Sequence, residues 1–233
     1  MSDLSGRIAL VTGASRGLGY ATAVALAERG AHVIAIARTV GGLEELDDVI
    51  AKGPGGCTLT PMDVTDDPGL ERLGAAIHGR WGKLDIVVHC AAEAAPMSPA
   101  EHAAAKDFDK AMAVNARSCQ RLIRVVDPLL KAAETAEAVF IDDSGLIGAK
   151  FNASYGASKA AARAIALSYA AENVKRGPKV WLAQPPAMPT ALRARAHPGE
   201  NTSVLTPTSE VANALTGLLF SGAVSAGETK SLS

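Results

Sequence analysis

Thr12-Gly13-Ala14-Ser15-Arg16-Gly17-Leu18-Gly19 is the stretch whose reading decides the fold. An apolar run at 7–12 precedes it, and an alanine-rich pattern at 17–29, closed by Gly30, follows it. Strand, glycine-rich turn and helix in that order form the context in which three glycines bind a dinucleotide. Gly13 permits the tight turn. Gly17 lets the backbone approach a pyrophosphate seated on the positive helix N-terminus. Gly19 allows close helix–strand packing. The plainer reading is a strand-to-helix turn without a ligand; the elements on either side favour the dinucleotide.

The same alternation runs on through the chain. Apolar runs at 32–37, 57–62, 84–91, 138–142 and 179–183 read as strands. Helical patterns lie at 43–51, 68–81, 108–133 and 155–176. This predicts the α/β class: a Rossmann-type doubly wound parallel sheet of about seven strands, with helices on both faces. The length of 233 residues suits one domain, and no linker or repeat divides it, so residues 1–233 read as a single dinucleotide-binding and catalytic unit. The Pro- and Gly-containing stretch 184–207 reads as a binding loop.

Composition narrows the function further. A formal net charge of -1 provides no basic surplus for nucleic acid or an anionic membrane. Cys57, Cys90 and Cys119 are odd in number and lack C-x-x-C spacing, which argues against a disulfide framework or a metal site. The opening Met1-Ser2-Asp3-Leu4 does not read as a signal peptide, and no apolar run reaches membrane-spanning length. A cytoplasmic protein acting on a small molecule is expected.

The end of the second strand bears on which dinucleotide is bound. An acid there would accept hydrogen bonds from a ribose 2′-hydroxyl. This chain has Ala37-Arg38-Thr39 instead, and Arg38 together with Arg16 can face a 2′-phosphate. The pair favours NADP(H) over NAD(H). Asp63-Val64, after the third strand, meets an adenine edge or caps the turn before Asp66-Asp67-Pro68.

Tyr155 and Lys159 stand four residues apart at the start of a helix, on one face. Tyrosine titrates near ~10, and a neighbouring cation lowers that value, which suits a tyrosine to proton exchange nearer neutrality.

These motifs, in this order, resemble the short-chain dehydrogenase/reductase family in its single-domain form, with a T-G-x-x-x-G-x-G turn and a Y-x-x-x-K helix. The resemblance implies that Gly13, Ser15, Arg16, Gly17, Leu18 and Gly19 hold the cofactor's phosphates. It implies that Arg38, Asp63 and Val64 line the adenosine end, and that Ala91, Pro185 and Thr190 border the nicotinamide. Tyr155 would be the acid/base, and Lys159 would bind the ribose and depress the tyrosine pKa. Asn115 matches a helix asparagine that supports a water-linked proton relay to the lysine. Such proteins usually form homodimers or homotetramers through their two long helices.

Three departures stand out. His89-Cys90-Ala91-Ala92 replaces Asn-Asn-Ala-Gly, and Pro185-Pro186 replaces Pro-Gly. The third is the largest: the substrate-polarising serine falls at Asp142. An ionised carboxylate cannot donate to a carbonyl and would raise the tyrosine pKa. Asp142 could act as a neutral acid, as ketosteroid isomerase illustrates. Ser144 could substitute for the serine, or a carboxylate could pair with an amine or imine. Two functions remain: an NADP(H)-dependent oxidoreductase interconverting a carbonyl and an alcohol, with Tyr155, Lys159, Asn115 and Asp142 as its catalytic set, or a catalytically impaired dinucleotide-binding protein with a sensing or assembly role.

Overall fold

The computed structural model describes residues 3–232. Met1, Ser2 and Ser233 lie outside them, so the reading of the opening residues is only partly within view. Seven strands form one wholly parallel sheet: β1 (Ile8–Thr12), β2 (His32–Ala37), β3 (Gly56–Pro61), β4 (Ile86–His89), β5 (Glu137–Ile141), β6 (Lys179–Gln184) and β7 (Thr229–Ser231). Their order is β3-β2-β1-β4-β5-β6-β7. The winding reverses between β1 and β4, where Thr12 pairs with His89. A crevice therefore opens at the carboxyl ends of those two strands, where open α/β sheets bind ligands.

Both sheet faces are covered, as the run of buried apolar residues in β1 requires. Ala9 and Val11 point into one core with α1 (Gly17–Ala27), α2 (Val40–Ile50) and α8 (Thr208–Leu218). Ile8 and Leu10 point into the other with α3 (Asp67–Trp81), α5 (Ser118–Lys131) and α6 (Ala153–Glu172). The termini of α3 show how local sequence sets an element. Asp66 caps it by accepting from the Gly69 N–H at 3.1 Å, Pro68 occupies its first turn, and Gly82 closes it in the left-handed conformation.

The predicted long helix at 108–133 begins earlier, as α4 (Ala105–Ala111), and runs through a π-helical stretch, Met112–Arg117, into α5. That widened turn carries Asn115; π-bulges often mark functional positions. The stretch read as one binding loop contains a short helix, α7 (Ala191–Ala196), and α8 follows it.

Candidate active site

The glycine-rich turn is built for close approach. Gly13 and Gly17 adopt φ of +69° and +60°. A Cβ on Gly13 would stand 3.0 Å from the Ala91 backbone, and one on Gly19 would run into the Gly13 carbonyl. Helix α1 has no side-chain cap and no acid in its first turn, which leaves its amino-terminal N–H groups for an anion.

From this turn a cavity of about 230 Å³ extends across the crevice. It gathers nearly every residue expected from the sequence. Gly13, Ser15, Arg16, Gly17, Leu18, Gly19, Arg38, Asp63 and Val64 line one end, and Ala91, Asp142, Tyr155, Lys159, Pro185 and Thr190 the other. Arg16 and Arg38 are exposed at the rim. One Asp63 oxygen accepts from the Thr65 N–H and hydroxyl at 2.9 and 2.7 Å, and the other lies 3.7 Å from Arg38. Asp63 thus caps its turn and also leans on the arginine. Thr190 caps α7 by accepting from the Arg193 N–H at 3.2 Å. Its methyl carbon would lie 3.4 Å from a Cβ on Gly17. The glycines, the uncapped helix end and the rim arginines fit a phosphorylated dinucleotide.

Asn115 lines an adjoining smaller space with His89, Asp142 and Lys159. Its carboxamide accepts from the Glu93 N–H at 2.8 Å, and donates to the Glu93 carbonyl at 2.9 Å and the Ser158 hydroxyl at 2.8 Å. It therefore ties the segment after β4 to α6. His89 lies 2.8 Å from the Thr12 hydroxyl, which in turn accepts from the Ala91 N–H at 3.1 Å. Burial, with Lys159 nearby, pushes the His89 pKa down to about 3. A value that low keeps the ring neutral near pH 7, and its contact with Thr12 joins β1 to β4.

The end of the cavity around Tyr155 departs from expectation. Asp142 lines the cavity, but its carboxylate turns to the Arg163 guanidinium rather than to the tyrosine. The next residue reaches the phenol: the Tyr155 hydroxyl donates to Asp143 Oδ2 at 2.9 Å. Ser144 opens the short turn Ser144–Leu146 and is not among the residues lining the cavity. The difference between the two aspartates has a backbone cause. The chain leaves the sheet after Ile141, and Asp143, at φ −143° and ψ 54°, begins the turn, so strand alternation no longer sets side-chain direction there.

The tyrosine's acidity also runs against expectation. Burial, then the Asp143 charge and hydrogen bond, and last the Asp142 charge, raise the phenol pKa above the ordinary tyrosine value. Lys159 does not reverse this. Its ammonium donates to the Ile141 carbonyl at 2.6 Å, and burial lowers its pKa while both aspartates oppose that shift. Asp143 and Arg163 were missed from sequence. Tyr155, Lys159 and Arg163 recur every four residues along α6, a spacing that could have flagged the arginine.

The family model described as "short chain dehydrogenase" matches residues 7–201. The chain belongs to the short-chain dehydrogenase family. A short-chain dehydrogenase structure from Pseudomonas syringae superposes with a TM-score of 0.93 at 30% identity, covering 99% of this chain and 96% of the other. A short-chain dehydrogenase from Shigella flexneri, complexed with NADP, has a TM-score of 0.92 at 26% identity, covering 100% and 99%. Among curated relatives, a fatty acyl-CoA reductase of Acinetobacter baylyi is 30% identical over 178 residues, which is 74% of this chain. The chain spans 59% of that relative's length. Among the described residues, no helix is long and apolar enough to cross a membrane.

Proposed function

We propose that residues 1–233 act as one NADP(H)-dependent oxidoreductase unit, interconverting a small carbonyl compound and its alcohol with Tyr155 as the acid/base. The observation that carries this is the arrival of Tyr155 and Lys159 on one wall of the cavity that begins at the glycine-rich turn. Arg16 and Arg38 would hold a 2′-phosphate, and the open end of α1 the pyrophosphate. Once bound, the nicotinamide supplies the hydride. Lys159 spends one donor on the Ile141 carbonyl and keeps others for ribose hydroxyls. Tyr155 holds its proton against Asp143 and delivers it to a developing alkoxide, and Asn115 and Lys159 border the space through which water can restore that proton.

One observation favours a second reading, a dinucleotide-binding protein with impaired catalysis. The phenol proton is engaged by Asp143 and its pKa is raised, which weakens it as a donor. Following NADPH consumption against aldehydes and ketones, with NADPH binding measured by fluorescence, separates the two. Turnover that Tyr155→Phe lowers by about 100-fold or more supports the oxidoreductase. Saturable binding with no turnover, unchanged by Tyr155→Phe, supports the binding protein.

A further inference from the structure

We infer that this hydride-transfer site favours an acceptor carbon in a cationic C=N group, an iminium, over a neutral ketone. The inference rests on the hydride-transfer part of the oxidoreductase reading and replaces its carbonyl substrate with a cationic one. A neutral carbonyl needs a hydrogen-bond donor at its oxygen and a proton as negative charge develops there. The part of the cavity lined by Tyr155 and Asp143 supplies the reverse. Asp143 is acceptor-only when ionised, and it takes the hydrogen of the phenol that would otherwise serve the carbonyl.

The neighbouring charges leave this carboxylate available. Lys159 is directed at the Ile141 carbonyl, Arg163 at Asp142, and Arg193 at Glu200 through two bonds of 2.6 Å. Lys159 and Arg193 feel the Asp143 charge from further away, yet no ion pair closes on it among the described residues. Asp142 also lines the cavity and is 2% exposed, but its charge is balanced by Arg163 and its partnerless Oδ1 is buried. The unpaired carboxylate that the cavity presents to a cation is therefore Asp143.

The step balances without a protein proton. The acceptor carbon gains a hydride with its electron pair from a reduced nicotinamide. The C=N π pair withdraws to nitrogen and cancels its charge, and the resulting amine takes its proton later from water.

Two readouts on the full chain test this. In the first, pyrrolidinium and cyclopentanol compete for NADP⁺-saturated protein, followed by NMR. Pyrrolidinium is expected to bind about tenfold tighter, an advantage lost in Asp143→Asn and kept in Asp143→Glu. In the second, NADPH oxidation is followed at fixed pH with N-methylpyrrolinium, which has no N–H proton to lose, and with cyclopentanone. The cation is expected to show at least about tenfold higher kcat/KM, falling about 100-fold in Asp143→Asn. Equal or better use of cyclopentanone, or a rate on N-methylpyrrolinium that Asp143→Asn leaves intact, overturns the inference alone, whereas silence on both by protein that binds NADPH overturns the oxidoreductase reading with it. Failure to bind NADPH at all overturns the oxidoreductase reading beneath it.

Discussion

The two ends of the cavity obey different constraints. The cofactor end, β1 through α1 to Arg38, is set by backbone: positive φ at Gly13 and Gly17, and no room for a Cβ at Gly19. The opposite end, Ile141 to Lys159, is set by the direction of single side chains. Asp142 and Asp143 are adjacent and chemically alike, yet one turns to Arg163 and the other to Tyr155. Backbone constraints leave a residue-type signature in sequence; side-chain directions at a strand end do not.

The largest effect expected from breaking this contrast lies at the backbone end. Gly19→Ala puts a Cβ into the Gly13 carbonyl, so the turn must move. Loss of measurable NADPH binding and a destabilisation of about 1–3 kcal/mol are expected, checked by fluorescence titration and denaturant unfolding. At the chemical end, Asp143→Asn should act on pH dependence. The carboxylate raises the phenol pKa, so its removal lets the phenolate form at lower pH. The alkaline rise of alcohol oxidation in the pH–rate profile should therefore move to lower pH, and Asp142→Asn should move it less.

Smaller changes sharpen the comparison. Arg38→Glu should raise the Kd for NADPH about 10- to 100-fold and spare NADH, read by parallel titrations. His89→Asn should change acid stability. The folded His89 pKa is depressed to about 3 from 6.5, so unfolding takes up a proton and stability falls as pH drops between those values. Acid denaturation midpoints should show a shallower fall in the variant.

Much of the layout was legible because it rests on periodicity and glycine. The alternation of apolar runs and helical patterns led to the parallel sheet, and three glycines led to the crevice. Helix α8 escaped notice: it begins at Thr208, directly after the 184–207 stretch read as a loop, and only a short stripe, Val211, Ala212 and Leu215, marks its buried face. Asp143 escaped for another reason. Counting back from Tyr155 locates the family serine at Asp142, but counting carries no information about where the chain leaves the sheet. The expected lysine effect on Tyr155 failed because burial and two carboxylates outweigh one cation whose ammonium is engaged by a backbone carbonyl.

Asp143, rather than Asp142, is the carboxylate bonded to the Tyr155 phenol, and it should dominate the acidity of that phenol. Titrating ¹³Cζ-labelled tyrosine by NMR, with Tyr155→Phe assigning the resonance among the three tyrosines, tests it directly. The structure predicts that Tyr155 titrates above ordinary tyrosine, and that Asp143→Asn lowers its midpoint more than Asp142→Asn does. A midpoint at or below the ordinary value, or a larger shift in Asp142→Asn, would contradict the account.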